Sequence, residues 1–247
     1  MSVALMLGLT STMVATAFLS GIFGMAGGLI LMGVLLTLMP VPEAMALHAV
    51  TQMASNGWRG VLWVRYVHWR GAANFLAGGA LAFAAWTFCR YVPPKPLALI
   101  LLGLSPFVVR LMPANLKPRP ERLAHGLLFG AASMSLMLLA GVSGPMIDAY
   151  FNSGTLDRRQ IVATKAACQV AGHSAKLVYF GSLVGQAGSV DPALGAAAVV
   201  ASVVGTSLAR PVLERLSEAQ FRQWTWRIIT AVAVLYLAQG AYLLAWP

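Results

Sequence analysis

Gln52, Asn56 and Arg59 fall at i, i+4 and i+7 within the apolar stretch ALHAVTQMASNGWR, residues 46–59. On an α-helix that spacing puts two amides and a guanidinium on one face. The stretch ATKAACQVAGHSAK, residues 163–176, repeats the pattern: Gln169, His173 and Lys176 each follow their counterparts by 117 positions. Amides and imidazoles supply hydrogen bonds, and the cations supply charge. Together, inside apolar segments, they suit the two halves of a site for a small anion. A charge at bilayer centre costs about 2.5–3.5 kcal/mol on insertion scales, so two matched cations call for a reason. The plainer alternatives are that Arg59 and Lys176 snorkel to the membrane surface, and that Gln52 and Gln169 only bond neighbouring helices.

Glycine-rich breaks precede both stripes. Gly21-Ile-Phe-Gly24-Met-Ala-Gly27-Gly28 precedes the first and Gly141-Val-Ser143-Gly144-Pro145 the second. Gly21/Gly24 align with Gly141/Gly144 at an offset of 120, three more than the stripes. Interrupted helices expose N–H groups that attract anions, and glycines also let helices pack closely. Gly24, Gly27, Gly28, Ser143 and Gly144 therefore join the candidate substrate-binding residues. Asp148 is an acid inside an apolar stretch. It is a candidate for taking a proton or neutralising a cation during transport, or for a local hydrogen bond at the end of a short helical arm. Gly141-Val-Ser143-Gly144 also fits the G-x-S-G pattern of intramembrane serine proteases, with His173 as the base. The first break shows the same glycines with Phe23 where the serine would be, which weakens that reading.

Those stripes must be held by a membrane protein. Of 247 residues, 59% are hydrophobic and 10% charged, against about 25% charged in ordinary globular chains. The length suits roughly eight apolar segments of about 20 residues. The net charge of +10 gathers at segment ends, as in loops retained in the cytoplasm, and does not point to nucleic acid. Cys89 and Cys168 have no metal-ligand spacing and read as free buried thiols. Apolar segments are expected at about 3–20, 29–39, 43–64, 71–89, 97–111, 123–140, 146–151, 160–184, 193–208 and 224–244. Pro113, Pro118 and Pro120, with Lys117, Arg119 and Arg122, mark a loop and a boundary between repeats of residues 1–115 and 116–247. Glu43, Asp157 and Asp191 read as helix-start residues.

Charge tests the topology. If each glycine-broken element enters and returns on one side, the basic loops at residues 65–70, 110–122, 158–159 and 210–222 share a side and only Arg90/Lys95 lies opposite. That satisfies the positive-inside rule. It leaves three crossings per half, so the halves are inverted, a recurring transporter plan. Whether the broken elements are re-entrant or full spans stays open.

The order GIFGMAGGLI, a Pro-containing turn, ALHAVTQMASNGWRG, then GVSGPMI and RRQIVATKAACQVAGHSAKLVYF, resembles the TauE/SafE family of sulfite-exporter-like anion permeases over nearly the whole chain. The run GMAGG in place of a triple glycine, and Pro145 directly after the second G-x-x-G, are departures expected to tune the substrate. The resemblance implies a bacterial inner-membrane exporter of sulfite, an organosulfonate such as sulfoacetate, or a related sulfur-containing or carboxylate anion. The expectation is an all-α polytopic membrane protein of two inverted repeats, each a glycine-broken hairpin plus three transmembrane helices. It is a multi-pass transporter and not an enzyme, with no cofactor and no metal. Its partners are a small inorganic or organic anion and the lipid bilayer, with no nucleic acid; a homodimer is left open. A non-transporting membrane subunit or assembly factor is the alternative.

Overall fold

The structure is a computed structural model and describes residues 3–113, 118–153, 155–184 and 190–246. Lys117, Gly154 and residues 185–189 of the expected loops lie outside it, as do the side chains of Arg210 and Arg222. The described residues form helices joined by short turns: α1 (Val3–Phe23), α2 (Met25–Leu38), α3 (Val41–Trp63), α4 (Trp69–Cys89), α5 (Lys95–Arg110), α6 (Leu123–Ala140), α7 (Gly144–Asn152), α8 (Arg158–Val178), α9 (Pro192–Arg215) and α10 (Glu218–Ala245). A 3-10 turn follows α3, and a π-turn, Tyr179–Leu183, extends α8. No strand occurs among the described residues.

Among the described residues, five helices are long and apolar enough to cross a membrane: those containing Ala4–Phe23, Trp69–Cys89, Leu123–Ala140, Pro192–Ala209 and Ala219–Ala245. Their outward faces carry large exposed apolar side chains such as Leu7, Leu81, Phe88, Leu128 and Leu235, as lipid requires. The protein is thus an all-α, multi-spanning bundle. The helices α3 and α8 are long enough but less apolar, because their polar stripes are turned into the protein. The sequence expectation was of a chain break around residues 208–224, but α9 runs through Pro211 to Arg215 and the turn to α10 is short. Ser217 and Gln220 close a capping box there, satisfying the first N–H groups of α10.

Small residues let the backbones meet, the usual basis of helix association where lipid removes any hydrophobic drive. A methyl added at Gly130 would strike the Phe75 carbonyl, and one at Gly78 the Leu127 backbone, so α4 and α6 lie in close contact. Gly205 against Val14 and Gly21 against Ala209 do the same for α9 and α1. Gly103 and Gly240 join α5 to α10. Gly27 faces the Thr16 carbonyl and Ser20, so α2 doubles back along α1 as a tight hairpin.

Loops rich in Arg gather at one end of the bundle. Arg159 donates to the Tyr66 hydroxyl at 3.3 Å, Ser153 Oγ to the Pro118 carbonyl at 2.6 Å, and Asn74 Nδ2 and Tyr150 to the Pro120 carbonyl at 3.4 and 3.1 Å. At the other end Tyr179 bonds the Tyr91 carbonyl at 2.9 Å.

Candidate anion site

The two stripe helices pack on each other antiparallel. As the number rises along α3 it falls along α8: His48 meets Lys176, Met53 meets Ser174, Gly60 meets Ala166, and Tyr66 meets Arg159. In that register Gln52 stands level with His173, and Asn56 with Gln169. That register aligns the amides and imidazoles of the two stripes along the α3–α8 contact, the polar seam, with His48 and His173 in contact across it.

At one end of the seam lies Lys176, with no exposed surface. Its Nζ donates to the Gly141 carbonyl at 2.8 Å and lies 2.8 Å from His48 Nδ1. His48 Nε2 lies 2.9 Å from the Gly28 carbonyl. A carbonyl only accepts, so Nε2 carries the hydrogen; Nδ1 is left to accept from the ammonium. His173 stacks obliquely on His48, ring centroids 5.5 Å apart, and its Nδ1 is buried without a partner. Full burial rules out the snorkelling alternative for Lys176.

The other end is looser. Half-buried Arg59 lies about 16 Å from His48 along α3, at about 1.5 Å per residue. Its Nη2 donates to Asn56 Oδ1 at 3.2 Å, and its Nε reaches the Ser55 carbonyl at 3.5 Å. Asn56 Nδ2 in turn donates to the Gln52 carbonyl at 2.9 Å. Asp148 on α7 forms an ion pair with Lys165 on α8.

The glycine breaks flank the seam. Gly24 (φ 67°) ends α1 and Gly141 (φ 82°) ends α6, both in the left-handed region that favours glycine. These two lie 117 positions apart, as the stripes do. The match of Gly21/Gly24 to Gly141/Gly144 at 120 is therefore replaced: the backbone, not the G-x-x-G spelling, marks the equivalent break. The N-termini of α2 and α7 come together, since a methyl on Gly144 would lie 2.8 Å from Met25 Cβ. Gly28 faces Gln52, whose Oε1 would be 3.2 Å from an added methyl. Gly27 packs α2 on α1 and is turned away from the seam, so its place is in the hairpin. Gly24 is exposed at the tip.

Ser143 is buried at the N-cap of α7 and lines a cavity of about 290 Å³ between α4, α6, α7 and α8, walled by Phe75, Phe83, Met134 and Gly172. No hydrogen bond joins Ser143 to His173, so the protease pair is not assembled. A second cavity, of about 300 Å³, has Met25, Arg110, Pro145, Asp148 and Trp226 in its wall. Half-buried Gln169 lies on the α8 face. Cys168 is buried as expected, whereas Cys89 is exposed at the end of α4. No group of His, Cys, Asp and Glu among the described residues could hold a metal ion.

His48 and Lys165 were missed from the sequence. Each begins its stripe one helical turn earlier, at i−4 from Gln52 and Gln169, and they too are 117 positions apart.

Against known families, residues 9–236 match the sulfite exporter TauE/SafE family. The chain belongs to the TauE/SafE family. Members of the family are transporters rather than enzymes, and the protein is accordingly a polytopic membrane protein of an anion-exporter family. No curated protein matches, and no solved structure does.

Proposed function

We propose that the protein is a secondary transporter that exports a small anion across the bacterial inner membrane by alternating access. The anion is sulfite, an organosulfonate such as sulfoacetate, or a related sulfur-containing anion. One observation carries this reading: the Lys176 ammonium is fully buried among neutral partners, with no carboxylate paired to it among the described residues. A buried charge without a counter-ion is costly, and a bound anion removes the cost. The meeting of two helix N-termini at Met25 and Gly144 adds to it, since their positive ends repel unless an anion lies close by.

Three features support two inverted repeats, residues 1–115 and 116–247. Equivalent helices α3 and α8 cross antiparallel with equivalent residues, near Ala54 and Ala171, at the crossing. The packing partners, α1 with α9, α4 with α6, α3 with α8 and α5 with α10, are unchanged when the two sets of five helices are exchanged. The α6–α7 hairpin opens at the Arg-rich end, while α2 leads into the start of α3 at the opposite end. This is the plan in which one half rocks against the other around a fixed site. Arg59 lies toward the Arg-rich, cytoplasmic end and Lys176 toward the outer end. Each attracts the anion from its own side, with Gln52, Asn56, Gln169 and His173 supplying hydrogen bonds and Asp148 offsetting charge. The inside-negative potential assists export by about 2.3 kcal/mol per charge per 100 mV.

Flux of sulfite and sulfoacetate from proteoliposomes tests this. Lys176→Ala and Arg59→Ala should both lower it; wild-type rates from both would remove the site. Wild-type protein that moves no anion but co-purifies with a membrane partner would mark a non-transporting subunit.

A further inference from the structure

We infer, building on the anion-transport reading, that the two ends of the α3–α8 seam are alternating latches. Lys176 holds the outer end shut in this structure. In the opposite state Arg59 shuts the inner end by donating to the Gly24 carbonyl, and Asp148 with Lys165 is the charge-balanced seat on which it closes. The constant offset of 117 positions gives each residue of one latch a counterpart in the other: Lys176 and Arg59, Gly141 and Gly24, His48 and Lys165, Gln52 and Gln169.

The members of these pairs are in different states. At the outer end Lys176 Nζ donates to the Gly141 carbonyl at 2.8 Å and lies 2.8 Å from His48 Nδ1. Lys176, Gly141, His48 and Gln52 are all buried. At the inner end Arg59, Lys165 and Gln169 are half-buried and Gly24 is exposed. The hydrogen bonds of Arg59 stay on α3, with Ser55 and Asn56, and a methyl added at Gly24 would meet nothing within 4 Å. One latch is fastened and its twin undone, which is a state closed toward the outside and open toward the cytoplasm. When inverted repeats rock about a fixed site, exchanging the arrangements of the two halves gives the opposite state: Lys176 lets go of Gly141, and Arg59 takes hold of Gly24.

The two seats differ in charge, and Asp148 makes up the difference. His48 is tied to the Gly28 carbonyl on α2 through Nε2, at 2.9 Å, so its Nδ1 is free to accept from Lys176. Lys165 stands in the His48 position but only donates, and it carries a charge that repels Arg59. Gly60 meets Ala166 in the α3–α8 register, which sets Arg59 and Lys165 at one level. Asp148 on α7 pairs with Lys165, cancels its charge and offers carboxylate oxygens to the guanidinium. Its counterpart 117 positions back is Leu31, so the acid stands in the half whose seat is a cation.

Latching is read by cysteine labelling in anion-free proteoliposomes, in protein with Cys89 and Cys168 replaced by serine. A single cysteine replaces Gln52, toward the outer side, or Gln169, toward the inner side, and an impermeant maleimide is added to one face at a time. Lys176→Met should raise outer-face labelling of position 52 about tenfold, the worth of a charge-assisted hydrogen bond, and slow inner-face labelling of position 169. Arg59→Met should do the reverse at position 52. Shifts in the same direction in both variants, or none, overturn the latches; if wild-type labelling at both positions is slowed by a transported sulfonate, anion transport still stands. No labelling from either face in the wild type overturns the transport reading and the latches with it. Sulfite flux tests the seat. Asp148→Leu should lower it about tenfold, because Lys165 then opposes Arg59. Adding Lys165→His copies the Leu31 and His48 pattern into the inner half and should recover most of the loss. Wild-type flux from the single variant overturns the pairing, and so does a double variant that still labels at position 169 yet is no faster than the single one.

Discussion

Replacing Lys176 by Met separates a ligand-binding cation from a structural one. At about 4 Å and an effective dielectric of about 20, an ammonium and a monoanion attract by about 4 kcal/mol. That is about a thousandfold in affinity; with water entering the seam in the open states, at least a hundredfold should remain. Stability responds differently. Removing the ammonium relieves a desolvation cost of several kcal/mol. It also strands His48 Nδ1 and the Gly141 carbonyl, at about 1–3 kcal/mol each. The two effects offset to within a few kcal/mol, so the anion-free variant should melt near the wild type. Thermal-shift titration of detergent-purified protein, with sulfite, sulfate, thiosulfate, sulfonates and carboxylates in turn, reads both quantities. A large anion-induced shift in wild type that vanishes in Lys176→Met, from a similar starting temperature, is the expected result. Retained anion affinity with a strongly lowered melting temperature would refute the reasoning and make Lys176 a structural clamp between α8 and the end of α6.

Other substitutions probe the remaining parts. Arg59→Ala should lower flux less than Lys176→Ala, about tenfold, because Arg59 is half-buried and already donates to Asn56; the ratio of initial rates checks this. Gly141→Ala places a methyl at φ 82° against Met32 and Met45. It should destabilise by about 2–5 kcal/mol, adding the left-handed strain of about 1–2 to overpacking of about 1–3, seen as a lower melting temperature in detergent. Asp157→Ala removes the capping box of α8 and should cost about 1 kcal/mol while leaving anion affinity unchanged by titration.

The stripes could be read from spacing alone because helical periodicity is local. The partnership of α3 with α8 was also legible, since a repeat at constant offset relates the two helices. Where each stripe begins was not, because His48 and Lys165 were hidden by the choice of an amide as the first residue. Their value lies in contacts with Gly28 and Asp148 on other helices, which no spacing within one helix reveals. The break glycines were misaligned by three positions because G-x-x-G spelling records packing as well as chain reversal. Only backbone angles tell Gly24 and Gly141 from Gly21 and Gly144. The span expected at about 193–208 was read as ending before the basic residues, yet α9 continues through Pro211 to Arg215: a membrane helix packed on α1 keeps its path despite one missing N–H.

The central claim is that the α3–α8 seam is a watery anion path reached from both membrane faces. Single cysteines at positions 56 and 173, in protein with Cys89 and Cys168 replaced by serine, measure it directly through their rates of labelling by a membrane-impermeant maleimide from each side. The account predicts labelling of position 56 mainly from the Arg-rich side and of position 173 mainly from the other, both slowed by a transported sulfonate. Labelling absent from both faces, or unaffected by any anion, would contradict it.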